Sequence, residues 1–311
     1  MRAFVFPGQG AQTIGMGRDL AEAYPAARAV FDAVDTALGE DLSGLIWRGD
    51  ADTLTLTRNA QPALMATSIA ALRALEAEGV TVADGAAFVA GHSLGEYSAL
   101  VAAGTLALED AARLLRVRGE AMQDAVPAGE GAMAALLGLD LDAARAVADD
   151  AAQGEICAAA NDNDPAQVVV SGHRAAVERA VDIAKERGAR RAVMLPVSAP
   201  FHCALMGPAA GRMAEALDDV EMSDPIVPLI ANVTASPVSA AGDIRALLVD
   251  QITGPVRWRE SVLRMASEGV TEIWEIGAGK ALSGMVRRID KSIATRQVGS
   301  PDEVKEAANG R

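Results

Sequence analysis

The sequence predicts an α/β fold, a parallel sheet with helices on its faces, interrupted by a small inserted unit of βαββαβ order. Three observations lead there. Short apolar strands alternate with helical patterns through most of the chain. A turn-rich break at Pro127-Ala128-Gly129-Glu130-Gly131 opens a compact run whose pattern switches between strand and helix. Apolar residues make up 50% of the 311 residues while aromatics make up 3%, and 66 are alanine. That composition favours helices and close helix packing over an aromatic-rich sandwich.

The elements follow in order. Residues 3–6 read as a buried strand ended by Pro7-Gly8-Gln9-Gly10, with helices expected at 17–38 and 60–79. Residues 86–91 read as a second buried strand, followed by helices at 95–103 and 109–125. The inserted unit, taken as residues 128–198, reads as strand 132–137, helix 140–152, strands 155–160 and 167–171, helix 175–187 and strand 191–195. This is the split βαβ, or ferredoxin-like, order. The large unit, 1–127 and 199–311, then resumes with helices at 204–218, 243–252 and 257–268 and strands at 226–231 and 271–276. Glu275 to Lys280 reads as a strand-to-helix turn, and the last dozen residues as a polar, frayed tail.

Several function classes fall on composition. The net charge of −14, from 28 basic and 42 acidic residues, is opposite to that of a nucleic-acid-binding protein. No apolar run approaches the ~20 residues that a membrane helix needs, and the start of the chain is too short an apolar run for a signal peptide. Two cysteines, Cys157 and Cys203, are too few for a disulfide scaffold and read as small buried hydrophobes. The three histidines and two cysteines are too scattered for a metal site. The expectation is a cytoplasmic protein with no metal and neither membrane nor nucleic acid as partner.

The chemistry centres on Gly91-His92-Ser93-Leu94-Gly95, between a strand and a helix. A G-x-S-x-G stretch in that setting is a nucleophile elbow: the glycines permit a sharp turn that projects the serine hydroxyl. The helix beginning there offers free N–H groups, including that of Leu94, to a developing oxyanion. Ser93 needs a base. His92, adjacent at a sharp turn, should point away and pack. His173 opens a helix in the inserted unit. His202 lies where the chain returns to the large unit, a natural cleft position, and is the best base by elimination. No acid stands out as the third member of a triad.

The helix at 109–125 carries the apolar stripe Ala111, Leu114, Leu115 and Met122, in which the i+7 position is Arg118. A guanidinium on a buried face is costly unless paired. It reads either as an internal salt bridge or as a partner for a ligand carboxylate, held by its planar fork. Arg113 and Arg116 fall off the stripe and are expected in solvent.

Taken together these residues resemble the malonyl-CoA:acyl-carrier-protein transacylases of fatty acid synthesis. The resemblance runs through Phe6-Pro7-Gly8-Gln9-Gly10-Ala11-Gln12, Gln61-Pro62-Ala63-Leu64, Gly91 to Leu100, Arg118-Gly119, Met122-Gln123, Gly131 to Ala135, Asn161, Gln167-Val168-Val169, Phe201 to Met206, Asn232-Val233, Gln251, Pro255 to Trp258 and Glu275-Ile276-Gly277. It implies an α/β-hydrolase-like large domain with an inserted ferredoxin-like one. It further implies Ser93 as acylated nucleophile, His202 as general base, Gln251 as the residue orienting His202, and the amides of Gln9 and Leu94 as oxyanion hole. Arg118 would hold the malonyl carboxylate, with Gln61 and Asn161 lining the cleft. Phe201 matches malonyl-selective relatives, although it also reads as simple packing. The implied activity is ping-pong transfer of malonyl from malonyl-CoA to the thiol of acyl carrier protein, by a monomer with no bound cofactor.

An acidic carrier protein meeting an acidic chain needs a local basic patch. Lys185, Arg187, Arg190 and Arg191 read as a solvated helix end. Lys280, Arg287, Arg288 and Lys291 read either as another such end or as the docking site for carrier protein or coenzyme A. A serine hydrolase on the same elbow and a non-catalytic carrier-protein-binding module are the competing functions. A domain excised from a polyketide synthase fits less well with the start at Met1 and the short tail.

Overall fold

The computed structural model of the chain describes residues 1–197 and 199–310. Its strands, in chain order, are β1 (Arg2–Phe6), β2 (Phe88–Gly91), β3 (Gly131–Leu137), β4 (Cys157–Asp164), β5 (Gln167–His173), β6 (Arg191–Met194), β7 (Leu229–Ala231), β8 (Ser236–Val238), β9 (Glu272–Ile276) and β10 (Ala294–Val298). They form two sheets. The larger has the order β10-β9-β1-β2-β7-β8, parallel except for β8, which turns back antiparallel on β7. The central strands are apolar on successive residues because helices cover both faces: Phe4 and Phe6 enter one core, Ala3 and Val5 another.

The alanine excess has its use in the helical layer. Helix Thr57–Ala77 is buried along most of its length and packs against helix Leu108–Asp124. The approach is so close that a Cβ on Gly119 would lie 2.6 Å from the Cα of Arg58. Small residues let the helices touch at backbone distance, and that fixes the rotation that turns Arg118 inward.

The smaller sheet has the order β4-β5-β3-β6, with every pairing antiparallel, and is the ferredoxin-like arrangement. Its two faces alternate along β3. Ala132, Ala134 and Leu136 pack under helices Leu141–Ala152 and Arg174–Glu186, while Met133 and Ala135 turn to the opposite side with Val169 and Phe201. Ser198, the expected last residue of this unit, lies outside the described residues. β4 also joins the large unit directly. Val256 N–H donates to Ala160 O at 2.8 Å and Asp162 N–H to Val256 O at 2.9 Å. The buried carboxylates of Asp162 and Asp164 meet Arg259 and Arg288 of the large unit at 2.9 and 2.6 Å.

Four expectations need correction. The single helix at 17–38 is two, Arg18–Ala23 and Pro25–Leu38, because proline disfavours helical geometry at Tyr24 before it. Arg116 is buried rather than solvated: its Nη1 donates to Arg58 O and Asn59 Oδ1 at 2.7 and 2.6 Å, and its Nη2 to Glu40 at 2.7 Å. Arg288 belongs first to Asp164. The polar tail is not frayed. After the edge strand β10, the Ser300 side chain caps helix Pro301–Asn309, whose Val304 and Ala307 are fully buried.

Truncation after Gly299 is therefore expected to destabilise the protein by about 2–4 kcal/mol, from lost apolar burial and a lost cap. The measure is the urea midpoint. An unchanged midpoint would show that the last helix does not contribute to the core.

Candidate active site

The elbow is built by exclusion of side chains. A Cβ on Gly91 would lie 1.9 Å from the carbonyl carbon of Gly95, and one on Gly95 would lie 2.3 Å from Phe6 O. With both glycines in place β2 turns directly into helix Gly95–Ala102, and Ser93 is held at φ 53°, a left-handed conformation unusual for serine. Asn232, just past β7, clamps the turn. Its Oδ1 accepts from Ser93 N–H at 2.8 Å and its Nδ2 donates to Gly91 O at 2.6 Å.

His202 arrives from the other side, also at positive φ, 57°. Its Nε2 lies 2.8 Å from Ser93 Oγ and its Nδ1 lies 2.9 Å from the main-chain carbonyl of Gln251. A carbonyl oxygen only accepts, so Nδ1 carries the proton and the Nε2 lone pair faces the serine. Burial, followed by the charge of Arg118, pushes His202 down to about 3. The ring is thus a neutral base at ordinary pH. Gln251 stands where the missing triad acid would, but it meets the imidazole through its backbone.

The Gln251 side chain is engaged elsewhere. Its Oε1 accepts from Arg118 Nη2 at 2.7 Å, and its Nε2 donates to Ser93 O and to Glu96 Oε2. Arg118 is fully buried and reaches three neutral acceptors: Gln61 Oε1 at 2.8 Å, Gln251 Oε1, and Ser93 Oγ at 3.2 Å. Its Nε has no partner among the described residues. Burial lowers its pKa, with Tyr97 and Glu96 acting in the opposite direction. Of the two readings of this arginine, no salt bridge to it is found among the described residues. The guanidinium edge lies beside the serine oxygen.

These groups open into a cleft of about 510 Å³ between the sheets. Pro7 to Gln12, Gln61, Leu94, Asn161, Phe201 and His202 line it, together with Met133, Ala135 and Val169 of the smaller sheet and Leu282 and Met285 of helix Ala281–Ile289. The N–H groups of Gln9 and Leu94 have no acceptor among the described residues. His92 is turned away from the serine oxygen, its Nε2 2.9 Å from Asn163 Oδ1 and its ring centroid 5.9 Å from that of Trp258. His173 stands just before helix Arg174–Glu186 without capping it, its Nδ1 accepting instead from Ile156 N–H at 2.9 Å. Of the suggested docking cations, Lys280, Arg287 and Lys291 are exposed around the helix whose other face borders the cleft. Three residues at the site were given no role from sequence: Asn232 and Glu96, which stood only inside motifs of the resemblance, and Asn163. A glutamate, the one charged residue in helix Gly95–Ala102, is the one that left a readable signal.

A nucleophile, a neutral base, free amides and a buried guanidinium converging on one cleft can support acyl transfer through a serine ester. Comparison with known proteins gives the family to which the chain is similar. A family model described as acyl transferase domain matches residues 3–296. A malonyl CoA-acyl carrier protein transacylase of Bacillus subtilis (strain 168) is 50% identical over 304 residues, covering 97% of this chain and 95% of the relative. One from Escherichia coli (strain K12) is 44% identical over 305 residues, covering 98% of each. Among solved structures, an acyl-carrier-protein-S-malonyltransferase from Bartonella henselae superposes with a TM-score of 0.97 at 55% identity, covering 99% of this chain and 98% of that one. A malonyl-transacylase solved in complex with its type II PKS acyl-carrier protein superposes at 0.96 with 42% identity, covering 100% and 99%.

Two outcomes are expected of a fluorophosphonate that labels Ser93. Its rate should be flat between about pH 5 and pH 8, because a base whose pKa is depressed to about 3 is already deprotonated throughout that window. A drop through pH 6–7 would show an ordinary imidazole. Asn232→Ala should slow labelling about 10–100-fold while the protein stays folded by circular dichroism, since it frees Ser93 N–H and Gly91 O. An unchanged rate would mean that the elbow holds itself.

Proposed function

The chain belongs to the acyl transferase domain family, among the malonyl CoA-acyl carrier protein transacylases, and on that premise we propose that it moves malonyl from malonyl-CoA to the phosphopantetheine thiol of acyl carrier protein by way of a malonyl ester on Ser93. The observation that carries this reading is the guanidinium of Arg118 at 3.2 Å from the Ser93 hydroxyl oxygen. A cation fixed beside the nucleophile suits an acyl group that ends in a carboxylate, and its planar fork can hold that carboxylate at two points.

In the first half-reaction Ser93 Oγ attacks the thioester carbon as His202 Nε2 takes its proton. The tetrahedral oxyanion rests on the Gln9 and Leu94 amides. His202 returns the proton to the departing sulfur, and free coenzyme A leaves. In the second half the carrier's thiol gives its proton to His202 and attacks the ester carbon. Collapse of that intermediate restores the Ser93 hydroxyl. The Gln251 carbonyl holds the imidazole throughout and stabilises its transient charge. Arg118 selects carboxylated acyl groups and aligns the carbonyl for attack. Gln61 braces Arg118, and Asn161 and Phe201 shape the wall facing the acyl group. The exposed Lys280, Arg287 and Lys291 offer a positive rim to an acidic carrier or to coenzyme A phosphates. The proposed enzyme is cytoplasmic, monomeric and without a resident cofactor.

Intact mass after mixing with malonyl-CoA tests the reading. A malonyl adduct, absent in Ser93→Ala and lost on adding holo carrier protein, is expected. Release of free malonate with no adduct and no transfer would indicate a hydrolase instead. Arg118→Ala is expected to lower malonyl loading at least 100-fold, about 3 kcal/mol at the transition state, and to raise the share of acetyl loading. Equal loss for both acyl groups would overturn the carboxylate role.

A further inference from the structure

Glu96 is a buried ionisable group beside the nucleophile that this mechanism leaves unused. It lies in the first turn of helix Gly95–Ala102, three residues past the nucleophile, and is 1% exposed. An exposed acid there would merely complement the helix dipole. A buried one must be satisfied or neutralised. Gln251 Nε2 donates to its Oε2 at 2.5 Å, and the main chain at Asn232 favours its ionised form.

The Gln251 amide places Glu96 one group away from Arg118. Its oxygen takes the guanidinium and its nitrogen gives to the carboxylate. The direct partners of Arg118 are neutral, so Glu96 supplies the negative charge in this buried network. The other titratable groups facing the pair carry no charge at neutral pH. Burial raises Tyr97 to about 12, and burial with Arg118 lowers His202 to about 3. With Arg118 and an ionised Glu96 the site is neutral overall. A carboxylate docked on the guanidinium would leave two anions sharing one cation away from water, which the interior disfavours.

We propose that Glu96 is the stand-in counter-charge of Arg118, and that, where it is ionised in the free protein, it takes a proton from solvent when the carboxylate of an acyl group docks on the guanidinium, so that the site stays neutral with and without substrate. The inference rests on the reading above, in which Arg118 holds that carboxylate. One O–H bond forms on Glu96, its proton comes from water or buffer, and nothing is oxidised or reduced. Glu96 touches neither substrate nor reacting atoms and is a positioning residue. Burial, outweighing Gln251, Asn232 and Arg118, already raises it to about 7 in the free protein. Above that value docking must import a proton, so affinity for a carboxylated ligand falls with rising pH, tending to tenfold per unit. Below it Glu96 is neutral and affinity levels off. A ligand without the carboxylate shows neither effect.

Titration calorimetry on the full chain carrying Ser93→Ala tests this without turnover. Malonyl-CoA and acetyl-CoA are compared in two buffers of different ionisation enthalpy, with and without Glu96→Gln. Near pH 8 malonyl-CoA is expected to take up about one proton more than acetyl-CoA, and the malonyl-to-acetyl affinity ratio to fall about tenfold between pH 7.5 and 8.5. In Glu96→Gln the extra proton should vanish and the ratio should be flat. Equal uptake for the two ligands, or an undiminished difference in Glu96→Gln, overturns the proposal. If Glu96→Gln does not fold, the comparison of ligands on the Ser93→Ala chain decides alone. Malonyl-CoA binding no tighter than acetyl-CoA near pH 6 would defeat the carboxylate role of Arg118 itself, and this inference with it.

Discussion

The guanidinium of Arg118 is held where bulk water does not reach, and a charge in that position must be solvated by the protein. Much of the site is arranged to meet that demand. Gln61 gives one oxygen from helix Thr57–Ala77, Gln251 another from helix Ala241–Thr253, and the serine hydroxyl a third. Those groups come from separate elements, so satisfying the cation also ties the helical layer to the elbow. The close helix contact at Gly119 belongs to the same requirement, because a wider spacing would pull Gln61 away from the guanidinium.

The backbone positions the Ser93 and His202 side chains before the hydrogen bond between them adds its part. Ser93 and His202 both occupy left-handed conformations, each costing on the order of 1 kcal/mol or more. The strain is over-determined by neighbours: Asn232 on one side of the elbow, and the Gln251 carbonyl behind the imidazole. The second sheet completes the arrangement by closing the cleft with the lower face of β3 and β5. It is held in place by paired backbone bonds at Val256 and by two buried carboxylates that meet arginines from the larger unit.

How much of this was legible in sequence depended on whether the signal was local. The elbow was, because a glycine–serine–glycine pattern between strand and helix is contained in five residues. Arg118 was, because it interrupts an apolar stripe with a known period. Arg116 was misread on the same helix, since what buries it is Glu40 and Asn59, far away in sequence. Arg288 looked free for a partner because its acid, Asp164, lies on another sheet. The last strand and helix were missed for a related reason: β10 is a half-buried edge, and the final helix turns only Val304 and Ala307 to the core. The part of Gln251 that meets His202 is a carbonyl that every residue type possesses, so no side-chain pattern can announce it.

That carbonyl has a consequence for how the site can change over time. An orienting carboxylate is lost when its codon mutates, whereas a main-chain acceptor survives any substitution that leaves helix Ala241–Thr253 in place. Position 251 can therefore be altered to retune the pocket around Arg118 while the imidazole keeps its tautomer and its aim. Under the proposed function, one residue serves the imidazole through its carbonyl and the surroundings of Arg118 through its side chain, with the Ser93 carbonyl as the point where the two meet.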